Sequence, residues 1–182
     1  MTTFYFVRHG EPDYGSVGTW SRIPFGRDFA CLTQVGVDQI CKAASQLSGQ
    51  DAQIIISSPF TRAMHGATII SRALDLPVFV EKDLHEWQSD LTHEIVEDEK
   101  LLMLCRDFDA CNGIYPNGTE KLWESREMVR KRVLAVLEKY AKYEKVIVMG
   151  HAIMIQTITG EKRPFEYGEV VVWKNGENEA FL

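Results

Sequence analysis

Four short apolar runs constrain this chain more than anything else in it: "TFYFV" (Thr3 to Val7), "QIIIS" (Gln53 to Ser57), "PVFV" (Pro77 to Val80) and "KVIVMG" (Lys145 to Gly150). They are rich in aromatic and β-branched residues and lack the polar alternation of a strand with one wet face, so each reads as a buried strand. Segments of helical period lie between them. Thr33 is suited to cap a helix whose apolar positions are Val37, Ile40, Cys41, Ala44 and Leu47. "SSPFTRAMHGATIISRALDL" reads as a helix with Ser58 at the N-cap and Pro59 in the first turn. A middle region from Leu91 to Cys111 has helical character, and "YPNGTE" is a turn. From Thr119 a long helix carries Leu122, Trp123, Val129, Val133, Val136, Leu137 and Tyr140 on one face. "GEVVVW" and the closing "EAFL" suggest a hairpin around "KNGEN".

Strands alternating with helices imply an α/β fold: a three-layer α/β/α sandwich with a mostly parallel central sheet and an antiparallel edge hairpin. The 182 residues fit one domain, 1–182, with a small helical cap segment around 87–120. The stretch from about Gly10 to Cys31 is long and irregular, and a loop of that length in a compact domain is usually functional.

Charge and cysteine usage narrow the class of partner. A net charge of −6 argues against nonspecific binding to nucleic acid or to an anionic membrane, both of which demand a basic face. No apolar run reaches the roughly 20 residues of a spanning helix, and no basic segment with an apolar stretch precedes the first strand. Cys31, Cys41, Cys105 and Cys111 show neither a CxxC pair nor zinc spacing, so they read as reduced thiols of a cytoplasmic protein.

Ligands of open α/β sheets bind beyond the carboxyl ends of the strands, so the residues just after each strand are the candidates. The first strand ends in Arg8 and His9, and the second in Ser57 and Ser58, with Arg62 one helical turn on. The third is followed by His85 and Glu86, and the fourth by His151. Taken alone, His9 is an ordinary strand-end histidine. With Arg8, Arg62 and His151 it forms a pocket suited to phosphate, whose oxygens match arginine forks and a helix N-terminus. Glu86, next to Trp87, is placed where partial burial raises a carboxyl pKa. His65 reads as a packing or surface residue, His85 as a candidate at the mouth, and His93 with Glu94 as too sparse for a metal site.

"VRHGEP", "LTQVG", "SSPFTRA", "DLHEW" and "VMGHA", in that order along most of the chain, resemble the histidine phosphatase superfamily, which includes the cofactor-dependent phosphoglycerate mutases. The resemblance implies that His9 is a nucleophile phosphorylated in turnover and that Arg8, Arg62 and His151 bind the phosphoryl group. It also implies that Glu86 protonates the leaving oxygen and then activates water, with no metal and no cofactor. A neutral imidazole is a competent nucleophile, and two guanidiniums can spread the equatorial charge of the transition state. Pro12 stands where many members carry a hydroxyl residue, Tyr14 and Gly15 where an Asn is common, and "PNGTE" replaces a "PGGES"-like stretch. These departures bear on the substrate rather than on the catalytic set.

The expected partner is a small phosphate ester, and hydrolysis is favoured over mutase-type transfer because the segment between Trp87 and Thr119 is modest for a closing lid. A mutase, a protein-phosphohistidine phosphatase and an inactive binding module on the same fold stay open as alternatives. No Cys is followed six positions later by Arg and no "GK[ST]" occurs, which disfavours cysteine-dependent phosphatases and P-loop enzymes. Asp107-x-Asp109 lies in a helical-looking stretch, out of place for an aspartyl phosphatase.

Overall fold

The computed structural model describes residues 1–23 and 25–174. Five strands, β1 (Thr3–Arg8), β2 (Ile54–Ser57), β3 (Val78–Val80), β4 (Lys145–Gly150) and β5 (Val170–Lys174), form one sheet in the order β3-β2-β4-β1-β5. All neighbours are parallel except β1 and β5. The second strand expected for the edge hairpin lies outside the described residues; the antiparallel pair observed is β5 on β1.

Side chains alternate between two cores, as the two-residue period of a strand requires. Tyr5, Val7, Ile55, Ile147 and Met149 face α1 (Gln34–Leu47) and α2 (Thr61–Leu74). Phe4, Phe6, Ile54, Ile56, Val146 and Val148 face α4 (Arg126–Lys139) and α5 (Ala152–Thr159), with α3 (Asp98–Ala110) contributing Phe108. Burial on both faces explains why the central strands read as unbroken apolar runs.

Three helix starts differ from the sequence reading, each because a side chain makes another bond. Helix α2 begins at Thr61 with Phe60 as its cap, since the Ser58 hydroxyl lies 2.7 Å from His151 Nε2. Helix α4 begins at Arg126 because Ser125 accepts the Met128 N–H and caps it. Trp123 is therefore buried below the helix, its Nε1 donating to Asp107 at 2.8 Å, and Leu122 is exposed. Helix α3 starts only at Asp98, because the Asp90 carboxylate accepts backbone N–H groups from Thr92, Glu94 and Ile95 and holds that stretch in a turn. Helix α5 was not anticipated. Thr33 caps α1 as expected.

The loop after β1 is folded onto the first turn of α1. A Cβ placed on Gly10 would sit 2.2 Å from the Gly36 carbonyl oxygen, and one on Gly36 would sit 2.3 Å from that of Glu11, so both glycines are required by close backbone approach. Thr33 Oγ1 also donates to Glu11 at 2.9 Å, and Pro12 bridges to Leu32. From there the chain runs through two 3₁₀ segments, 14–22 and 26–29, the second of which carries Asp28.

Candidate active site

The sheet order brings distant parts of the sequence together. Strand β4 lies between β1 and β2, with Arg8 opposite Gly150 and Ser57 opposite Met149. The next residue of each strand continues the ladder for one bond: His9 N–H donates to Gly150 O at 3.0 Å and Ser58 N–H to Met149 O at 3.0 Å. His9, Ser58 and His151 thus emerge side by side at the carboxyl edge.

His9 is 6% exposed, and its Nδ1 lies 2.7 Å from the Gly10 carbonyl oxygen. A carbonyl only accepts, so Nδ1 carries the proton and Nε2 keeps its lone pair in the neutral ring. The Nε–H of Arg62 points at that lone pair from 3.3 Å. Burial, then the Arg62 charge, push the His9 pKa down to about 3, against the pull of the Gly10 carbonyl, so the ring is neutral at physiological pH.

Arg62, the second residue of α2, is buried against the ring of Phe60. Its Nη1 reaches Asp28 at 3.4 Å and the Arg27 carbonyl at 3.5 Å. Asp28 is held up in pKa by burial and to a lesser extent by the Glu86 charge, with Arg62 pulling it down. Arg8 is turned toward the loop before β5: Nη1 donates to the Phe165 carbonyl, and the guanidinium lies 4.0 Å from the Tyr167 ring centre. Its Nε is buried without a hydrogen-bond partner among the described residues.

His151 is fully buried, edge-on to His9 with ring centres 5.1 Å apart. Its Nε2 lies 2.7 Å from the Ser58 hydroxyl, which also accepts the Phe60 N–H at 3.3 Å. Nδ1 of His151 is buried and has no hydrogen-bond partner among the described residues. Burial, then Arg62 and His9, hold its pKa well below the ordinary histidine value.

Glu86 reaches the site from the segment after β3. Its carboxylate accepts from Trp87 N at 2.8 Å, Met154 N at 3.1 Å and Ile153 N at 3.2 Å, and so rests on the N-terminus of α5. Burial nevertheless outweighs these donors and raises its pKa. Arg132 of α4 anchors this segment, donating to the carbonyls of Asp83, His85 and Glu86 while paired with buried Glu124 at 2.6 Å.

Arg62 and Glu86 line a cavity of about 320 Å³ with Asp28, Phe60, Trp87 and residues of the 14–28 and 89–105 segments. The structure therefore gathers Arg8, His9, Arg62, Glu86 and His151 at one edge of the sheet, with Arg62 and Glu86 on the cavity wall. His85 is not among the residues lining the cavity: its Nδ1 lies 2.7 Å from the Glu86 carbonyl. His65 Nδ1 accepts from Leu32 N–H at 3.4 Å. His93 does line the cavity, its ring 4.8 Å from that of Phe25. Asp28, Ser58 as the partner of His151, Tyr167 and Arg132 escaped the sequence reading. Asp28 and Tyr167 sit in irregular loops, and Arg132 lies in a helix dense with charge. Among the described residues no group of three or more His, Cys, Asp and Glu side chains is placed to hold a metal ion, and the cysteines are free.

The sequence profile of the histidine phosphatase superfamily (branch 1) matches residues 4–169, and the chain belongs to that family. An adenosylcobalamin/alpha-ribazole phosphatase of Escherichia coli K12 is 24% identical over 154 residues, 81% of this chain and 72% of that protein. An uncharacterized phosphatase, PhoE, of Bacillus subtilis strain 168 is 26% identical over 161 residues, 88% of this chain and 77% of that protein. Among solved structures, a mycobacterial glucosyl-3-phosphoglycerate phosphatase in complex with VO3 superposes with a TM-score of 0.72 at 18% identity, covering 94% of this chain and 92% of that one.

Proposed function

We propose that the protein hydrolyses a small phosphate monoester through a phosphohistidine on His9, without a metal, in the cytoplasm. The observation that carries this reading is the His9 tautomer: the Gly10 carbonyl holds the proton on Nδ1 and leaves the Nε2 lone pair facing Arg62. A phosphoryl group in line with Nε2 would meet the Arg62 fork. Two buried nitrogens without partners among the described residues, Arg8 Nε and His151 Nδ1, support a nearby anion site.

In the first step His9 Nε2 forms a P–N bond as the ester P–O bond breaks, and Glu86 gives its proton to the leaving oxygen. In the second step Glu86 takes a proton from water, which attacks phosphorus as the P–N bond breaks, and inorganic phosphate departs. The raised Glu86 pKa suits a group that must be both acid and base. Residues 87–120 act as the cap over the leaving group. The phosphatase names of the relatives favour hydrolysis over mutase transfer.

The test is a panel of phosphorylated metabolites assayed for phosphate release, with and without EDTA, for the wild type and His9→Ala. Metal-free release that vanishes in His9→Ala is expected. Loss of activity with EDTA, full activity in His9→Ala, or interconversion of phosphoglycerate isomers without phosphate release would each overturn the reading.

A further inference from the structure

The cavity beyond the phosphoryl position has a charge balance that bears on the leaving group. Its described lining includes four carboxylates, Asp28, Glu86, Asp90 and Asp98, and two guanidiniums, Arg27 and Arg62. Arg27 Nη2 donates to both oxygens of Asp98, at 2.6 and 2.8 Å, in an exposed pair. Arg62 faces His9 on one side and Asp28 on the other. Once Arg62 holds the phosphoryl oxygens, the other guanidinium of the described lining, Arg27, is already paired with Asp98, whereas the Asp28 carboxylate faces the same space. His93, the one other basic side chain of the described lining, is exposed and lies against Phe25 with the rings tilted by 46°.

The remaining wall is apolar and aromatic, with Phe25, Phe60 and Trp87 joined by Ile95 and Leu101. The Arg27–Asp98 pair and the Phe25–His93 contact tie the loop after β1 to the segment around α3 across the mouth. The volume of about 320 Å³ accommodates a ring as well as the phosphoryl group.

From this balance we infer that the enzyme selects phosphate monoesters whose leaving group is aromatic or otherwise apolar and carries no carboxylate or second phosphate, with Asp28 as the residue that rejects the second anion. The inference rests on the phosphatase reading above and narrows it. It disfavours phosphoglycerates, whose carboxylate would share the cavity with the Asp28 carboxylate.

The test compares kcat/KM of the wild type for phenethyl phosphate, glycerol phosphate and phosphoglycerate, three esters of alkyl alcohols that differ in ring and charge. Phenethyl phosphate should exceed phosphoglycerate by about tenfold or more, since the second anion would be set against the Asp28 carboxylate. Asp28→Asn should narrow that ratio several-fold by raising turnover of phosphoglycerate relative to phenethyl phosphate. Phosphoglycerate turned over as well as phenethyl phosphate, or an unchanged ratio in Asp28→Asn, would overturn the inference while leaving the phosphatase reading intact. Failure to hydrolyse any of the three esters would overturn both.

Discussion

Acidification should destabilise this protein through its buried histidines, and the size of the effect follows from where they sit. His9 titrates near pH 6.5 when unfolded and at about 3 when folded, and it is only 6% exposed. Between those values the unfolded chain binds a proton that the folded chain refuses, so stability falls as pH drops below the unfolded value. One such group costs about 1.4 kcal/mol per pH unit, so His9 alone removes about 2 kcal/mol by about pH 5. His151 is fully buried with its pKa well below the ordinary value and adds a loss of the same sign. Glu86 and Asp28, raised by burial, take up protons earlier in the folded state and so oppose this trend at the acidic end. The His9 contribution is isolated by comparing the wild type with His9→Asn in urea unfolding at about pH 7 and about pH 5. Fluorescence of the buried Trp87, Trp123 and Trp173 reports the transition. The wild type should lose about 2 kcal/mol more than the variant over that interval. Parallel losses in the two proteins would refute the claim that His9 is held neutral by burial and Arg62.

Glu86→Gln should lower kcat about 10²- to 10⁴-fold on alkyl phosphates and much less on nitrophenyl phosphate, whose leaving group needs no proton; steady-state phosphate release distinguishes these outcomes. Arg62→Ala should cost about 10²- to 10³-fold in kcat/KM with the circular dichroism spectrum unchanged. Arg62→Lys should recover little of this, because an ammonium cannot address His9 and the phosphoryl oxygens as a planar fork does. Arg132→Ala leaves buried Glu124 without its partner and should cost about 3–5 kcal/mol in chemical denaturation, with kcat reduced as the Glu86 segment loses its anchor.

What the sequence made legible was decided by whether signals were local. The strands β1, β2 and β4 were readable because burial on both faces leaves an apolar run with nothing else to be, and Thr33 because a cap bond spans three residues. The helix start at Ser58 was misread because the deciding bond is long-range. The one near Thr119 was misread because Ser125, whose cap bond is local, takes over as the start while Trp123 and Glu124 are held by distant partners. The partner of Ser58 is His151, 93 residues away, and the Glu124 N–H goes to Gln88. The convergence of His9, Arg62 and His151 could be anticipated from strand ends alone. The role of Asp28 could not, since its loop has no periodicity and its partner, Arg62, lies 34 residues on.

The central claim is that a phosphoryl group passes through His9 Nε2, and trapping it is the most direct measurement. The wild type is mixed with a turned-over ester, quenched at alkaline pH within one turnover, digested and mapped by mass spectrometry. The account predicts one phosphoryl adduct on His9, acid-labile, base-stable, longer-lived in Glu86→Gln and absent in His9→Ala. An adduct on a serine or cysteine, or burst-phase turnover with His9 unmodified, would contradict it.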